Sequence, residues 1–209
     1  QLKEKIKITT LKSDYNVKSK ELFDLENKIN IAKSNIENNS FLPKSIAAVL
    51  NSKALSGICD RIENLIEVND AHKIAISSSL GAAKNFIVTT DFDSAKRAIK
   101  YLKNFDLGRC TFFPLDTIKS RYIDNITLNS IKDLTGFIGI ASDLVSYDKK
   151  YKNIIENQLG NVIIVDSLDD ANKIGKKTDY KYKIVSLEGD ILYSGGAVSG
   201  GRVNTNNDD

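Results

Sequence analysis

The sequence predicts a mixed α+β fold: two pseudo-repeated α/β halves preceded by a long coiled-coil helix. Three observations carry this reading. A heptad seam runs through residues 1–40, strand-like and helix-like runs alternate after Pro43, and the two parts of that later region echo each other in order and spacing.

The first element is the helix. Apolar residues recur in alternating steps of three and four at Ile8, Leu11, Tyr15, Leu22, Leu25, Ile29, Ala32 and Ile36, with Lys18 the one charged interruption of the seam. Neither Pro nor Gly occurs before Pro43, so nothing breaks the run. An amphipathic helix packed on the following domain would also give apolar spacing. A period held near 3.5 residues instead favours a coiled-coil arm, because a 3.6 repeat would drift off the seam. Such an arm needs a partner helix. NNSFLPKS, residues 38–45, ends the pattern, and its proline suits the first turn of a new helix, PKSIAAVLNSKAL. The domain boundary is therefore placed at 40/41: an arm over 1–40 and a globular domain over 41–209, whose halves are about 41–125 and 126–209.

In the globular part, strands are expected at residues 58–62, 85–89, 110–114, 136–141, 161–166, 183–187 and 191–194, and helices at 70–80, 93–103, 149–159 and 168–177. Glu188-Gly189-Asp190 reads as a tight hairpin turn between the last two strands. Gly57-Ile58 and Leu80-Gly81 recur as Gly136-Phe137 and Leu159-Gly160 with identical spacing. Between them Leu65-Ile66 matches Leu144-Val145 and Ile76 matches Ile155, and FIVTTDFDSAKRA from Phe86 is echoed by IIVDSLDDANKI from Ile163. The shared order points to a duplication within one domain.

Composition limits the chemistry. Charged residues make up 27% and hydrophobic ones 41%, ordinary for a soluble domain, and a net charge of +3 permits nucleic-acid contact without demanding it. No apolar run is long enough to span a bilayer, and QLKEKIKITT has no signal-peptide core, so a cytoplasmic location is expected. Cys59 and Cys110 lie far apart in strand-like runs and read as buried free thiols. His72, the one histidine, sits in the polar stretch NDAHK, which an exposed helix position explains better than a zinc site or a catalytic triad.

SGGAVSGGRV, residues 194–203, poses the functional question. GAVSGGRV resembles a Walker A loop in outline, but Arg202 stands where the phosphate-binding lysine belongs and Val203 where the Mg²⁺-binding hydroxyl belongs. NTNNDD follows, with no helix signal to place an N-terminus over an anion. The other reading is close approach: Gly195, Gly196, Gly200 and Gly201 remove every Cβ from two pairs of positions after an apolar strand, admitting positive φ and a neighbouring backbone. A third reading is a tight turn inside the domain. A nucleotide-binding enzyme domain using this loop stays as the alternative function.

A heptad arm leading into a duplicated α/β domain that ends in a double-glycine loop resembles the hinge of the structural maintenance of chromosomes (SMC) proteins. The stretches that carry the resemblance are SGICDRIENLIEV, SLGAAKNFIVTTDFDSAKRAIKYLK, LGRCTFFPLD, GFIGIASDLVSYDKKY, QLGNVIIVDSLDDA and KIVSLEGDILYSGGAVSGG, spanning nearly all of residues 42–201. LGRCTFFPLD and IGIASDLV look bacterial. The resemblance implies a non-enzymatic homodimerisation hinge, at the tip of a long antiparallel coiled coil, in a chromosome condensation and segregation ATPase. It implies that ATP-binding heads and kleisin-type subunits belong to parts of the parent absent from this chain, that this chain carries no cofactor or metal, and that the protein is cytoplasmic and nucleoid-associated. The returning helix of the family's arm would begin where this chain stops, so the chain reads as an excised hinge with one arm.

The resemblance places the dimer contact on ILYSGGAVSGG, with Ile191, Tyr193, Gly195, Gly196, Ser199, Gly200 and Gly201 as interface residues. A two-fold axis would then make two equivalent contacts and close a ring. It also implies weak, sequence-independent DNA binding, for which the candidates are Arg202, the cluster Lys149, Lys150 and Lys152, and the cluster Lys173, Lys176, Lys177, Lys181 and Lys183. A charge run is more often a solvated face.

Overall fold

The structure, a computed structural model of the 209-residue chain, describes residues 2–202. Val203 and the NTNNDD stretch lie outside the described residues. The chain divides into two compact units, residues 1–52 and 53–209.

Unit 1 opens with helix α1, Leu2–Glu37, unbroken and with no buried residue. At 1.5 Å per residue it is about 54 Å long. The seam residues Ile8, Leu11, Leu22, Leu25 and Ile29 all lie open to solvent. Helix α2, Lys44–Asn51, starts with Pro43 as N-cap at φ −51°. It ends four residues before the PKSIAAVLNSKAL segment does, as Ser52 turns extended. The Asn51 side chain closes the turn: its amide donates to the Asn38 carbonyl at 2.6 Å, and its oxygen accepts from the Asn39 amide at 2.8 Å.

Unit 2 is built twice. Its first half runs β1 (Ile58–Arg61), β2 (Ile66–Val68), α3 (Lys73–Leu80), β3 (Ile87–Thr89), α4 (Phe92–Asn104) and β4 (Phe112–Pro114). After a linking helix, α5 (Asn125–Ile131), the second half runs β5 (Phe137–Ile140), β6 (Val145–Tyr147), α6 (Lys152–Leu159), β7 (Val162–Val165), α7 (Leu168–Lys177) and β8 (Lys183–Ser186). Two further strands, β9 (Ile191–Leu192) and β10 (Val198–Ser199), have no counterpart in the first half.

The repeat extends to backbone detail. β1 pairs antiparallel with β3 and β5 antiparallel with β7, each with a register shift, between Ile58 and Asp60 and between Phe137 and Gly139. β3 then pairs parallel with β4, as β7 does with β8. The Gly57 carbonyl accepts from Thr90 N–H at 2.9 Å and the Gly136 carbonyl from Asp166 N–H at 2.8 Å. Both crossover helices start on a side-chain cap: Asp91 accepts from Ser94 N–H, and Ser167 Oγ from Asp170 N–H.

The halves meet through β2 and β6, which form a two-stranded antiparallel ladder of their own. Ile66 faces Tyr147, Val68 faces Val145, and Glu67 faces Ser146. Glu67 and Ser146 occupy the same position in the two repeats, so a local two-fold axis passes between them. The core beneath obeys the same symmetry. It joins Ile62 with Ala141, Ala75 with Ile154, Ile76 with Ile155, and Leu80 with Leu159, all buried. A second core of Ile131, Ile163, Val165, Ala171, Ile174 and Ile184 brings together residues of α5, α7, β7 and β8.

Several expectations are corrected. Helices expected over 70–80 and 149–159 begin as 3-10 turns at Asp70–His72 and Lys149–Tyr151 before turning α-helical. The 191–194 strand stops at Leu192, because Tyr193 onward is a turn. The two cysteines are half-buried, not buried, and Cys110 precedes its strand. Burial still pushes the Cys59 thiol above its ordinary range. His72 is half-buried in its 3-10 turn. The last strand, α5, β2 and β6 were not foreseen as elements. No helix among the described residues is long and apolar enough to cross a membrane.

Gly160 and Gly139 make opposite predictions. A Cβ on Gly160 would overlap the backbone carbonyl of Arg121, which cannot swing away as a side chain can, whereas a Cβ on Gly139 would meet Leu144 at an ordinary 3.4 Å. Gly160→Ala is expected to cost about 1–3 kcal/mol. Gly139→Ala should stay within about 0.5 kcal/mol. Urea unfolding of the two variants, compared at unchanged m, checks both.

Candidate interface at the glycine hairpin

The candidate site grows out of β8. Ser186 and Asp190 close the turn around Gly189: Ser186 N–H donates to the Asp190 carbonyl, and Gly189 N–H to the Ser186 carbonyl, both at 2.9 Å. β9 then returns antiparallel to β8, with Ile191 opposite Val185. A second tight turn follows, in which Tyr193 N–H donates to the Ala197 carbonyl at 2.7 Å and Gly196 N–H to the Tyr193 carbonyl at 2.9 Å. β10 pairs back on β9, Val198 opposite Leu192 and Ser199 opposite Ile191.

The first glycine pair serves this turn. Gly195 and Gly196 have φ of +90° and +99°, a region L side chains rarely adopt. These two glycines therefore shape a turn inside the domain. The turn is also anchored at its base, since Gly195 N–H donates to the Tyr180 carbonyl at 2.8 Å and Ser194 Oγ to the Lys181 carbonyl at 2.8 Å. Tyr180 itself has positive φ, and its hydroxyl donates to Asn172 Oδ1 at 3.0 Å, which helps hold that conformation.

The second pair behaves differently. A Cβ on Gly200 would run into the Asp190 carboxylate, while Gly201, at φ +125°, has nothing within 4 Å in that direction. The same open space lies over Gly195 and Gly196. Gly201 N–H donates to the Asp190 carboxylate at 3.3 Å, which sets a negative group where a phosphate cradle would need to be free of one. The glycines also sit on a β-hairpin and not at a strand-to-helix turn, so the arrangement lacks both parts of a nucleotide site.

Sheet edges complete the geometry. β10 is the outermost strand of the order β10-β9-β8-β7-β5, with Val198 59% exposed and Ser199 exposed. In the three-stranded sheet the order is β1-β3-β4, so the outer side of β4 has no strand beside it among the described residues, where β8 has β9. Tyr193 is 40% exposed, and Ile191 is half-buried against the main core. β10 was missed in the sequence because Val198–Ser199 is too short for alternation to register, whereas the strand expected at 110–114 is β4 and only its edge position needed the sheet order.

The basic candidates separate by environment. Lys173, Lys176 and Lys177 are exposed on α7 at spacings that share one helix face. Lys149 and Lys150 lie exposed in the 3-10 turn before α6; Lys150 sits 5.0 Å from the Tyr151 ring, and its hydrogen bond to Tyr151 raises its pKa. Lys152 faces Glu156 at 3.8 Å, and Lys181 lies 5.4 Å over the Tyr182 ring. Arg202 is exposed. Lys183 differs from all of these. Its ammonium donates to the Ser79 carbonyl at the end of α3 at 2.8 Å, and burial lowers its pKa. Its charge ties the second half to the first.

Residues 55–175 match the family described as SMC proteins flexible hinge domain. The chain belongs to that family. The hinge is 40% identical over 174 residues to the chromosome partition protein Smc of Mesomycoplasma hyorhinis, covering 83% of this chain and 18% of that protein. It is 38% identical over 165 residues to Smc of Bacillus subtilis, covering 78% of this chain and 14% of that one. The hinge thus spans less than a fifth of these relatives' length. Among solved structures it is similar to an asymmetric dimer of the Geobacillus stearothermophilus SMC hinge domain, with TM-score 0.80 and 36% identity, covering 86% of this chain and 74% of that chain. The Pyrococcus furiosus SMC hinge domain follows with TM-score 0.64 and 28% identity, covering 83% of this chain and 92% of that one.

The lysine geometry separates two kinds of loss in the hinge. Lys183→Ala removes a charged donor from a helix-end carbonyl and should cost about 1–2 kcal/mol. Lys173→Ala, exposed in the middle of α7, should stay within about 0.5 kcal/mol. Thermal unfolding followed by circular dichroism distinguishes them.

Proposed function

We propose that the chain is a homodimerisation hinge of a chromosome condensation and segregation protein, joining two coiled-coil arms through the β9–β10 hairpin. The observation that carries this is two unlike free edges: among the described strands β10 ends one sheet and β4 the other. A two-fold axis that brings β10 of one copy to β4 of the next creates two equivalent contacts and closes a ring. Ile191, Tyr193, Gly195, Gly196, Ser199, Gly200 and Gly201 are the proposed contact residues, and the open space over Gly201 admits a partner backbone. The asymmetric dimer named for the Geobacillus stearothermophilus hinge supports dimerisation as such. In this account ATP binding and kleisin-type partners belong to other parts of the parent protein, which is cytoplasmic and nucleoid-associated.

The test uses the exposed strand instead of the glycines, because positive φ at Gly195, Gly196 and Gly201 would add strain of about 1–3 kcal/mol to a substitution there. Val198→Glu with Ser199→Glu sets charges on β10 without touching the core. Light scattering is expected to show the mass halved with circular dichroism unchanged. A dimer persisting at low micromolar concentration would move the contact elsewhere.

DNA contact is the secondary role in the proposal, favoured by the exposed lysine face of α7. Lys183 is set aside from it by its bond to Ser79. Binding through Lys173, Lys176, Lys177 and Lys181 would be to phosphates, so affinity should fall steeply with salt. Replacing these four by Glu is expected to abolish the binding while the dimer survives. Retained, salt-dependent affinity in that variant would shift the role to Lys149, Lys150, Lys152 or Arg202.

A further inference from the structure

The two-fold repeat allows each position in one half to be compared with its counterpart, and one groove is lined by side chains that differ from those across the axis. It lies between β2 and α3, with a volume of about 280 Å³ and a floor of Ile66, Val68, Ile76 and Leu80. In the second half, the counterparts of Val68 and Ser77 are Tyr147 and Glu156. Tyr147 is half-buried against the main core, its pKa raised by that burial and then by the nearby Glu156 carboxylate, which also faces Lys152 at 3.8 Å. The first half thus replaces a ring and a carboxylate with two small side chains.

The rim is charged in one sense. Lys84 lies on the 3-10 turn Gly81–Asn85, a stretch longer than the link between Leu159 and β7, so it has no counterpart in the other half. It is half-buried at the groove and has no ion-pair partner among the described residues. Lys73, also on the rim, pairs with Asp70 at 2.7 Å, but side chains 64% and 91% exposed form a bond that exchanges readily with another anion. The one acid on the rim, Glu63, is already held by the buried Arg61 guanidinium at 3.1 Å. The remaining charge is positive.

We propose that this groove is a docking site for a partner protein's acidic segment, which inserts one aromatic or leucine side chain over the aliphatic floor. The floor supplies the place that Tyr147 fills across the axis, and Lys73 and Lys84 supply the charge complement. Nucleic acid fits less well, because the floor has no aromatic ring on which a base could stack. None of the groove's lining residues belongs to the glycine hairpin.

The probe is a blocked hexapeptide, Asp-Glu-Tyr-Leu-Asp-Glu, titrated into the ¹⁵N-labelled chain. Amide shifts are expected at residues 66–68 and 73–84, with half-saturation at or below about 1 mM. Lys84→Glu should weaken binding by at least about tenfold. The pair Val68→Tyr and Ser77→Glu, which copies the second half, should remove it; should that variant fail to fold, Lys84→Glu and a peptide with Ser for Tyr and Leu decide the matter. No shifts at that concentration, equal shifts from the Ser peptide, or shifts here from a thymidine oligonucleotide and not from the acidic peptide would each overturn the proposal.

Discussion

The pairing of β2 with β6 organises the globular unit. Each strand has three residues, far too few to stand alone, and each pairs only with the other among the described strands. What holds the ladder is the core beneath it, to which Ile66, Val68, Val145 and Tyr147 contribute from the inward face. Glu67 and Ser146 point the other way and are exposed. Around this axis α3 packs on α6, helix against its own counterpart. The burial of Ile76 and Ile155 is thus one event seen from two sides.

Departures from symmetry are where the molecule gains its particular surfaces. The second half adds β9 and β10 beyond β8; the first half stops at β4. Lys183, on β8, reaches over to the last turn of α3, where helix carbonyls lack intrahelical donors. Gly189 sits against Ile74 and Ser78 of the same helix. β8 and the turn that leads into the added hairpin are therefore braced on the opposite half.

Much of this was legible in the sequence where a long pattern or a repeated spacing spoke. The seam of α1, the strand–helix alternation, and the duplication anchored by Gly57, Gly136, Leu80 and Leu159 all rest on many residues at once. α7 was read to its ends, because Ser167 caps it and Lys176-Lys177 close it. What escaped was short. β2, β6 and β10 have two or three residues, and such strands are fixed by what lies opposite them, not by their own alternation. The roles of single glycines escaped as well: Gly195 and Gly196 make a turn under open space, Gly200 abuts Asp190, and Gly201 combines positive φ with open space outside that turn. All four are the same letter. Lys183 joined a cluster of lysines in the sequence and left it once Ser79 was seen beside it.

The self-opposed pairing of Glu67 with Ser146 has a historical meaning. An isologous contact can be made by two copies of one half-length chain, each lending the same strand and the same helix to the other. Fusing such copies in tandem turns an encounter between molecules into one within a molecule, raising the local concentration of each half around the other. The ancestral seam needs no new geometry to survive that step. Once joined, the halves are free to drift apart, one lengthening its sheet and the other opening a groove, while the old axis remains in the middle of a single chain.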